Sequence, residues 1–177
     1  MQLVTCASAS LGHKTRLALR QLWHEAYGDR FSDDDAEHAY GGVHVLAVKN
    51  GALIGHASAI PRSIRFGEGD WQTIAYVEAV AVYPEFQGKG IGTEVLRTLH
   101  EEMAQIWSVA MLSTGRATSF YESLGWRRWE GTSYTVTKDG TVPDGEHGGL
   151  MVISLVNDFR VDVHQTVTCE DRPGDAW

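Results

Sequence analysis

Between Lys14 and Tyr27 the apolar residues Leu17, Leu19, Leu22, Trp23 and Ala26 recur mainly at spacings of three and four, which predicts an amphipathic helix closed near Gly28. Ser32 before Asp33-Asp34-Asp35 reads as an N-cap with an acidic first turn, and so as a short second helix. After Gly41-Gly42, the run Val43 to Val48 predicts a strand, and Asn50-Gly51 is a two-residue hairpin turn that returns the chain antiparallel along Ala52 to Ile60. A turn at Gly67, Gly69 and Asp70 precedes Thr73 to Val82, an almost unbroken apolar run interrupted only by Glu78, which predicts a central strand. Pro84 ends it, a glycine-rich segment follows, and Ile91, Val95, Leu96, Leu99 and Met103 recur at helical spacing. Trp107 to Ser113 predicts a further strand and Ala117 to Ser123 a short helix stopped at Gly125, while the remainder alternates strands and turns around Gly140, Gly145 and Gly148-Gly149. The order of helices, hairpin, strand, helix, strand, helix and strands predicts a mixed α/β fold in a single domain spanning residues 1–177, with no repeat or linker.

Composition narrows what such a fold does. No stretch approaches the roughly 20 apolar residues that span a bilayer, and the amino end lacks a basic segment followed by an apolar one, so a cytoplasmic protein without membrane contact is expected. The formal charge of -8 argues against nucleic acid as a partner and favours a cationic one. Acidic residues gather at Asp29, Asp33, Asp34, Asp35 and Glu37, and again at Glu170, Asp171 and Asp175. A solvated surface is the first reading of either cluster, ahead of a binding site. Cys6 and Cys169 have no metal spacing and the eight histidines have none either, so no metal site is expected and the histidines are assigned solvated or packing roles.

The chemistry concentrates after the central strand. Gln87-Gly88-Lys89-Gly90-Ile91-Gly92 opens a helix, where unpaired backbone N–H groups and the helix dipole favour an anion, and glycines admit a pyrophosphate close to the backbone. The dinucleotide pattern GxGxxG and the P-loop ending are both absent. On its own the segment reads first as a plain strand-to-helix connection, since glycine-rich turns are common.

Here the sequence resembles a known superfamily. Gln87 to Gly92 fits the Gln/Arg-x-x-Gly-x-Gly/Ala signature of GNAT acetyltransferases, preceded by the strand Val77-Glu78-Ala79-Val80-Ala81-Val82-Tyr83-Pro84, and Phe120-Tyr121-Glu122-Ser123-Leu124-Gly125-Trp126 resembles their Phe-Tyr-x-x-x-Gly-aromatic element. A closer resemblance, to the aminoglycoside 2'-N-acetyltransferases, runs over nearly the whole chain: His38 to His44, Tyr76-Val77-Glu78, Tyr121 with Gly125-Trp126, and the ending Cys169 to Trp177. The Gly-Asp-x-Trp ending is the discriminating feature. In Gly28-Asp29-Arg30-Phe31 the chain departs from the family, which generally reads Gly-Asp-Phe, by the intervening Arg30.

The resemblance implies a GNAT fold, with a mixed, mostly antiparallel sheet splayed at its centre, helices on both faces, and acetyl-CoA as co-substrate. It implies that backbone groups of Val80 and Val82 pair with the pantetheine arm, and that Gln87, Gly88, Lys89, Gly90, Ile91 and Gly92 hold the pyrophosphate. The thioester then lies beside Ala79 and Glu78. Acetyl transfer needs an unprotonated amine, a polarised carbonyl and a proton for the departing thiolate. Glu78 is the expected base, acting through water, because burial in an apolar run would raise its pKa; its alternative is a pleat position facing solvent. Tyr121 is the implied acid, with a core aromatic as its alternative, and the Val80 amide is the candidate oxyanion donor. Asp29, Asp35, Ser113, Glu146, Asp175 and the Trp177 carboxylate are the implied contacts to a polycationic aminoglycoside, with Glu78 and Ala79 at the reacting end. The family resemblance also implies a homodimer and a role in antibiotic resistance. Two rivals are another amine, such as kasugamycin, a peptide amino terminus or a polyamine, and a non-catalytic acyl-CoA-binding module. The first loses its peptide variant to the acidic tail, and the second has no use for Glu78 and Tyr121.

Overall fold

Residues 1–144, 149–157 and 160–177 are described by the computed structural model, and their contacts divide the chain into two compact units: residues 1–60 with 77–105, and residues 61–76 with 106–177.

The first unit contains β1 (Gln2–Ala7), α1 (His13–Tyr27), α2 (Asp33–His38), β2 (Val43–Lys49), the first part of β3 (Ala52–Phe66), the last part of β4 (Trp71–Val82) and α3 (Ile91–Ala104). β2 and β3 form the expected hairpin, with Asn50 and Gly51 both at positive φ, 52° and 80°, as that two-residue turn requires. A bulge between Ala47 and Val48 shifts the register, so that Leu46 pairs with His56 and His44 with Ser58. α1 buries Leu19, Leu22 and Trp23. Leu17, expected on the same stripe, is 55% exposed, because two residues of helix carry it to the far side from Leu19. Ser32 caps α2 through a capping box with Asp35, as the Ser-Asp-Asp-Asp pattern predicts. α3 buries all five of its predicted apolar positions.

β1 is an addition to the sequence reading. It lies antiparallel to β2 from Gln2↔Val48 to Ala7↔Val43, and its partial burial explains why no clear alternation announces it. A tight approach fixes the entry to β2: a Cβ on Gly42 would lie 1.8 Å from the Ala59 carbonyl oxygen, so only glycine fits.

The second unit runs in strand order β6 (Arg127–Arg128), β9 (Leu150–Ser154), β5 (Val109–Ser113), β4, β3, β10 (Val167–Glu170), β7 (Ser133–Thr137) and β8 (Gly140–Pro143), with α4 (Thr118–Glu122) joining β5 to β6. Pairing is mixed. β4 with β5 and β10 with β7 are parallel, while β5 with β9 and β10 with β3 are antiparallel. β4 and β5 pair at Ala75↔Ala110 and Tyr76↔Met111. β3 continues past the predicted end at Ile60 to Phe66, since Pro61 is tolerated where a strand changes partners. Among the described residues, no helix is long and apolar enough to cross a membrane.

Candidate functional site

In the first unit, the last residues of β4 carry a local distortion. Ala79 has φ 52°, a left-handed conformation that a residue with a Cβ keeps only when its surroundings enforce it. Three consecutive carbonyls there are held by side chains. Ser58 Oγ donates to the Glu78 carbonyl at 3.3 Å, His56 Nδ1 lies 2.9 Å from the Ala79 carbonyl, and the Tyr27 hydroxyl donates to the Val80 carbonyl. Glu78 is half-buried, so the apolar run around it shields its carboxylate only in part.

Beyond β4, Pro84 starts a short 3-10 turn, and the Gln87 side-chain amide donates to the Val82 carbonyl at 3.0 Å. Gly88 and Gly90 have φ 70° and 80°, conformations natural only to glycine, and neither has an atom within 4 Å of where a Cβ would stand. Gly90 is the N-cap of α3 and supplies no side-chain cap, so the first-turn amides are left to an external acceptor such as a phosphate oxygen. Lys89 Nζ donates to the Glu85 carbonyl at 2.6 Å, which fixes its stem while leaving its charge at the same loop.

Asp29 is exposed in a 3-10 turn after α1, whereas the Asp35 carboxylate accepts from Ser32 N at 2.7 Å and Ser32 Oγ at 2.9 Å. Both bonds fall on Oδ2 of the carboxylate and complete the cap of α2.

Also in the first unit, two of the histidines to which the sequence reading gave solvated or packing roles lie tilted against each other in the interior, ring centroids 5.2 Å apart. His44 and His56 are both 0% exposed, with His44 Nδ1 2.9 Å from His56 Nε2. The signal was available in the hairpin: both sit on the inward face, diagonal to each other in the β2–β3 register. Burial, assisted by the charge of Arg16, lowers the His44 pKa to about 4, and burial together with His44 lowers that of His56 to about 3. An unfolded histidine titrates near 6.5, so between that value and the depressed ones only the unfolded chain binds the proton. Stability is complete above about pH 6.5 and is lost as pH falls toward the folded values. The pair is expected to make the fold about 4 kcal/mol less stable at pH 5 than at pH 7.5. His100, lowered to about 4 by burial, adds in the same direction. Urea midpoints at the two pH values measure this, and coincident midpoints would show that the imidazoles are not held neutral.

In the second unit, Ser113 ends β5 and is exposed, while the following Thr114 amide donates to Gly149 at 2.9 Å. Tyr121 lies on α4, 6% exposed and edge-on to Trp126 at 6.0 Å. Burial raises its pKa, so the phenol stays protonated through the neutral range. The tail is pinned by two arginines. Arg62, 8% exposed, donates to the Ala176 and Glu170 carbonyls, and Arg172 Nε donates to the Asp175 carbonyl at 2.8 Å. Both guanidiniums lie over the Tyr76 ring, at 5.0 and 5.6 Å. Asp175 Oδ1 accepts the Trp177 amide at 3.1 Å, and Trp177 is 6% exposed. Nothing in the sequence pattern singled out Arg62. Glu146 lies outside the described residues. Among those described, no group of histidine, cysteine and carboxylate residues is arranged to hold a metal ion.

Comparison with known proteins bears on this arrangement. A family model, the acetyltransferase (GNAT) domain, matches residues 11–129. An aminoglycoside 2'-N-acetyltransferase of Mycolicibacterium fortuitum is 32% identical over 174 residues, which is 96% of this chain and 89% of that protein. Among solved structures, the GNAT family N-acetyltransferase YhbS from Escherichia coli in complex with CoA superposes with a TM-score of 0.68 at 13% identity, over 96% of this chain and 90% of that one. An aminoglycoside 6'-N-acetyltransferase complexed with coenzyme A gives 0.63 at 18% identity, over 92% and 100%. At those identities the two structures speak for the fold.

Proposed function

Because the chain belongs to the aminoglycoside 2'-N-acetyltransferase family of the GNAT acetyltransferases and is thereby an N-acetyltransferase, we propose that it moves the acetyl group of acetyl-CoA onto the 2'-amine of aminoglycoside antibiotics, with drug resistance as the consequence. The observation that carries this reading is the relationship to a 2'-acetylating relative over nearly the whole chain.

In this reading the amides from Gly88 to Gly92, at the uncapped start of α3, receive the pyrophosphate of acetyl-CoA, with Gln87 and Lys89 flanking it. Backbone groups of Val80 and Val82 align the pantetheine arm. Their carbonyls each accept one side-chain hydrogen and keep a second lone pair for it. Glu78 takes the proton of the substrate ammonium through a water. The freed amine attacks the thioester carbon, and the oxygen that becomes negative receives the Val80 N–H. When the C–S bond breaks, Tyr121 gives its phenolic hydrogen to the sulfur, and the nitrogen, now carrying one proton more than an amide holds, returns that proton through water to the Tyr121 phenolate. Asp29, Asp35, Ser113, Glu146, Asp175 and Trp177 are the proposed acceptors for the drug's ammonium and hydroxyl groups, and the acidic balance of the chain favours such a cation.

Kanamycin B, which has a 2'-amine, is expected to be turned over, and kanamycin A, which has a 2'-hydroxyl, is expected not to be N-acetylated at that position. Thiol release with each drug, followed by NMR of the product, makes the comparison. Equal turnover of the two would exclude a 2'-specific site.

A further inference from the structure

Behind the Ala79 carbonyl, the polar contacts continue inward as a chain: His56, then His44, then Ser8, whose Oγ lies 2.7 Å from His44 Nε2. The direction of hydrogen bonding along it follows from Ser8. A hydroxyl has one hydrogen to give and two lone pairs to receive with. The Gly41 and Gly42 amides donate to Ser8 Oγ at 2.9 and 3.1 Å, which fills both lone pairs and leaves the hydrogen for His44 Nε2. The Gly42 carbonyl, at 3.2 Å, is the more distant competitor for it. His44 therefore carries its own hydrogen on Nδ1 and donates to His56 Nε2, and His56 carries its hydrogen on Nδ1 and donates to Ala79.

This assignment has one cost. The Trp23 indole N–H, 3.2 Å from His56 Nδ1, faces an N–H in place of a lone pair. The reversed chain would satisfy the indole, but it sets a His56 lone pair against the Ala79 oxygen and a third donor against Ser8 Oγ. Two unfavourable contacts replace one. The depressed pKa values of both rings agree with neutral imidazoles.

What this chain governs is the peptide between Ala79 and Val80. The Ala79–Val80 peptide is trans, as is every peptide among the described residues, and a trans peptide points its C=O and N–H in opposite directions, so holding the Ala79 carbonyl aims the Val80 N–H. Accepting a hydrogen bond at the carbonyl also polarises the group and makes its N–H a stronger donor. We propose that Ser8, His44 and His56 are positioning residues, forming a one-way hydrogen-bond chain that aims and polarises the Val80 amide toward the oxyanion of acetyl transfer. This rests on the assignment of Val80 in the proposed function. None of the three touches a reacting atom; their influence passes through the Ala79–Val80 peptide.

The test combines imidazole tautomers with kinetics. Nitrogen-15 NMR of the wild-type protein is expected to show both rings as neutral Nδ1–H tautomers, and an Nε2–H tautomer at either overturns the chain. His56→Leu is expected to lower kcat about 10- to 100-fold with CoA affinity by calorimetry unchanged, an effect below or equal to that of removing an oxyanion donor outright. His56→Asn, whose amide nitrogen stands where Nδ1 stood, is expected to recover most of that loss without restoring the contact to His44. Equal losses in the two variants, or none in the Leu variant, overturn the proposal. Should the Leu variant not fold, Ser8→Ala removes only the terminal donor. It is expected to let the tautomers reverse toward Trp23 and to lower kcat by a smaller factor, and unchanged tautomers and kcat would overturn the chain. A wild-type protein with both Nδ1–H signals that releases no thiol with any aminoglycoside retires the proposed substrate and leaves the chain standing. An active enzyme with an Nε2–H signal retires the chain alone.

Discussion

Replacing Glu78 by Gln is expected to lower kcat/KM by about 10²- to 10⁴-fold, the range over which a general base contributes, and to abolish the acidic limb of the pH profile. The substitution keeps the side chain's size and removes only its ability to take a proton. The bond from Ser58 reaches the Glu78 backbone carbonyl and not its side chain, so the β4 distortion should survive the change. The limb arises because protonation of this carboxylate switches the base off as pH falls, and Gln has no such state. Tyr121→Phe is the companion, expected to lower kcat with little effect on acetyl-CoA affinity. Since burial raises the Tyr121 pKa, its phenol should contribute no basic limb in the neutral range of the wild-type profile. Steady-state kinetics from acid to alkaline pH measure both. Wild-type kcat and profiles in both variants would remove these two residues from the mechanism.

The parts of the fold legible in the sequence are those where a single local signal decides. Asn50-Gly51 can make only a hairpin turn of positive φ, and Ser32 with Asp35 supplies a complete capping box. The five apolar positions of α3 needed nothing beyond their spacing. β1 escaped because an edge strand with half-buried residues leaves no alternation to read, and β3 was cut short because Pro61 is ordinarily a strand breaker. At the site, the glycines of the α3 entry were readable because positive φ selects glycine. The support beneath it was not. Tyr27 from α1 and His56 and Ser58 from β3 reach successive carbonyls of β4, a convergence of two distant segments that neither segment's own pattern encodes. The same holds for Arg62, which meets the tail carbonyls from more than a hundred residues away. Acidic clustering pointed first to a solvated surface and a helix cap, with the ligand role added by the family resemblance, and the structure gives Asp35 a cap partner while leaving Asp29 exposed.

Asp175→Asn is expected to weaken tobramycin binding by roughly 10- to 100-fold while leaving CoA affinity unchanged, because a charge-assisted hydrogen bond contributes about 1.5 to 3 kcal/mol and the tail is remote in sequence from the glycine loop. Exposure and salt place the effect toward the lower part of that range, and the loss should shrink further as ionic strength rises. The amide oxygen of Asn can still accept the Trp177 N–H, so the local turn is preserved and the change reads charge rather than shape. Trp177→Ala asks a different question. This ring is 6% exposed, and truncating a buried tryptophan costs about 3 to 5 kcal/mol, so a large loss of stability is expected along with any loss of drug affinity. The two variants together separate a contact from a fold defect: calorimetric titration with tobramycin and with CoA reads the first, and urea unfolding reads the second. If Asp175→Asn binds tobramycin as the wild type does at low salt, the tail carboxylate is no part of the drug site. The tail would then stand as a structural element, held to its own unit by the bonds from Arg62 and Arg172 to its backbone.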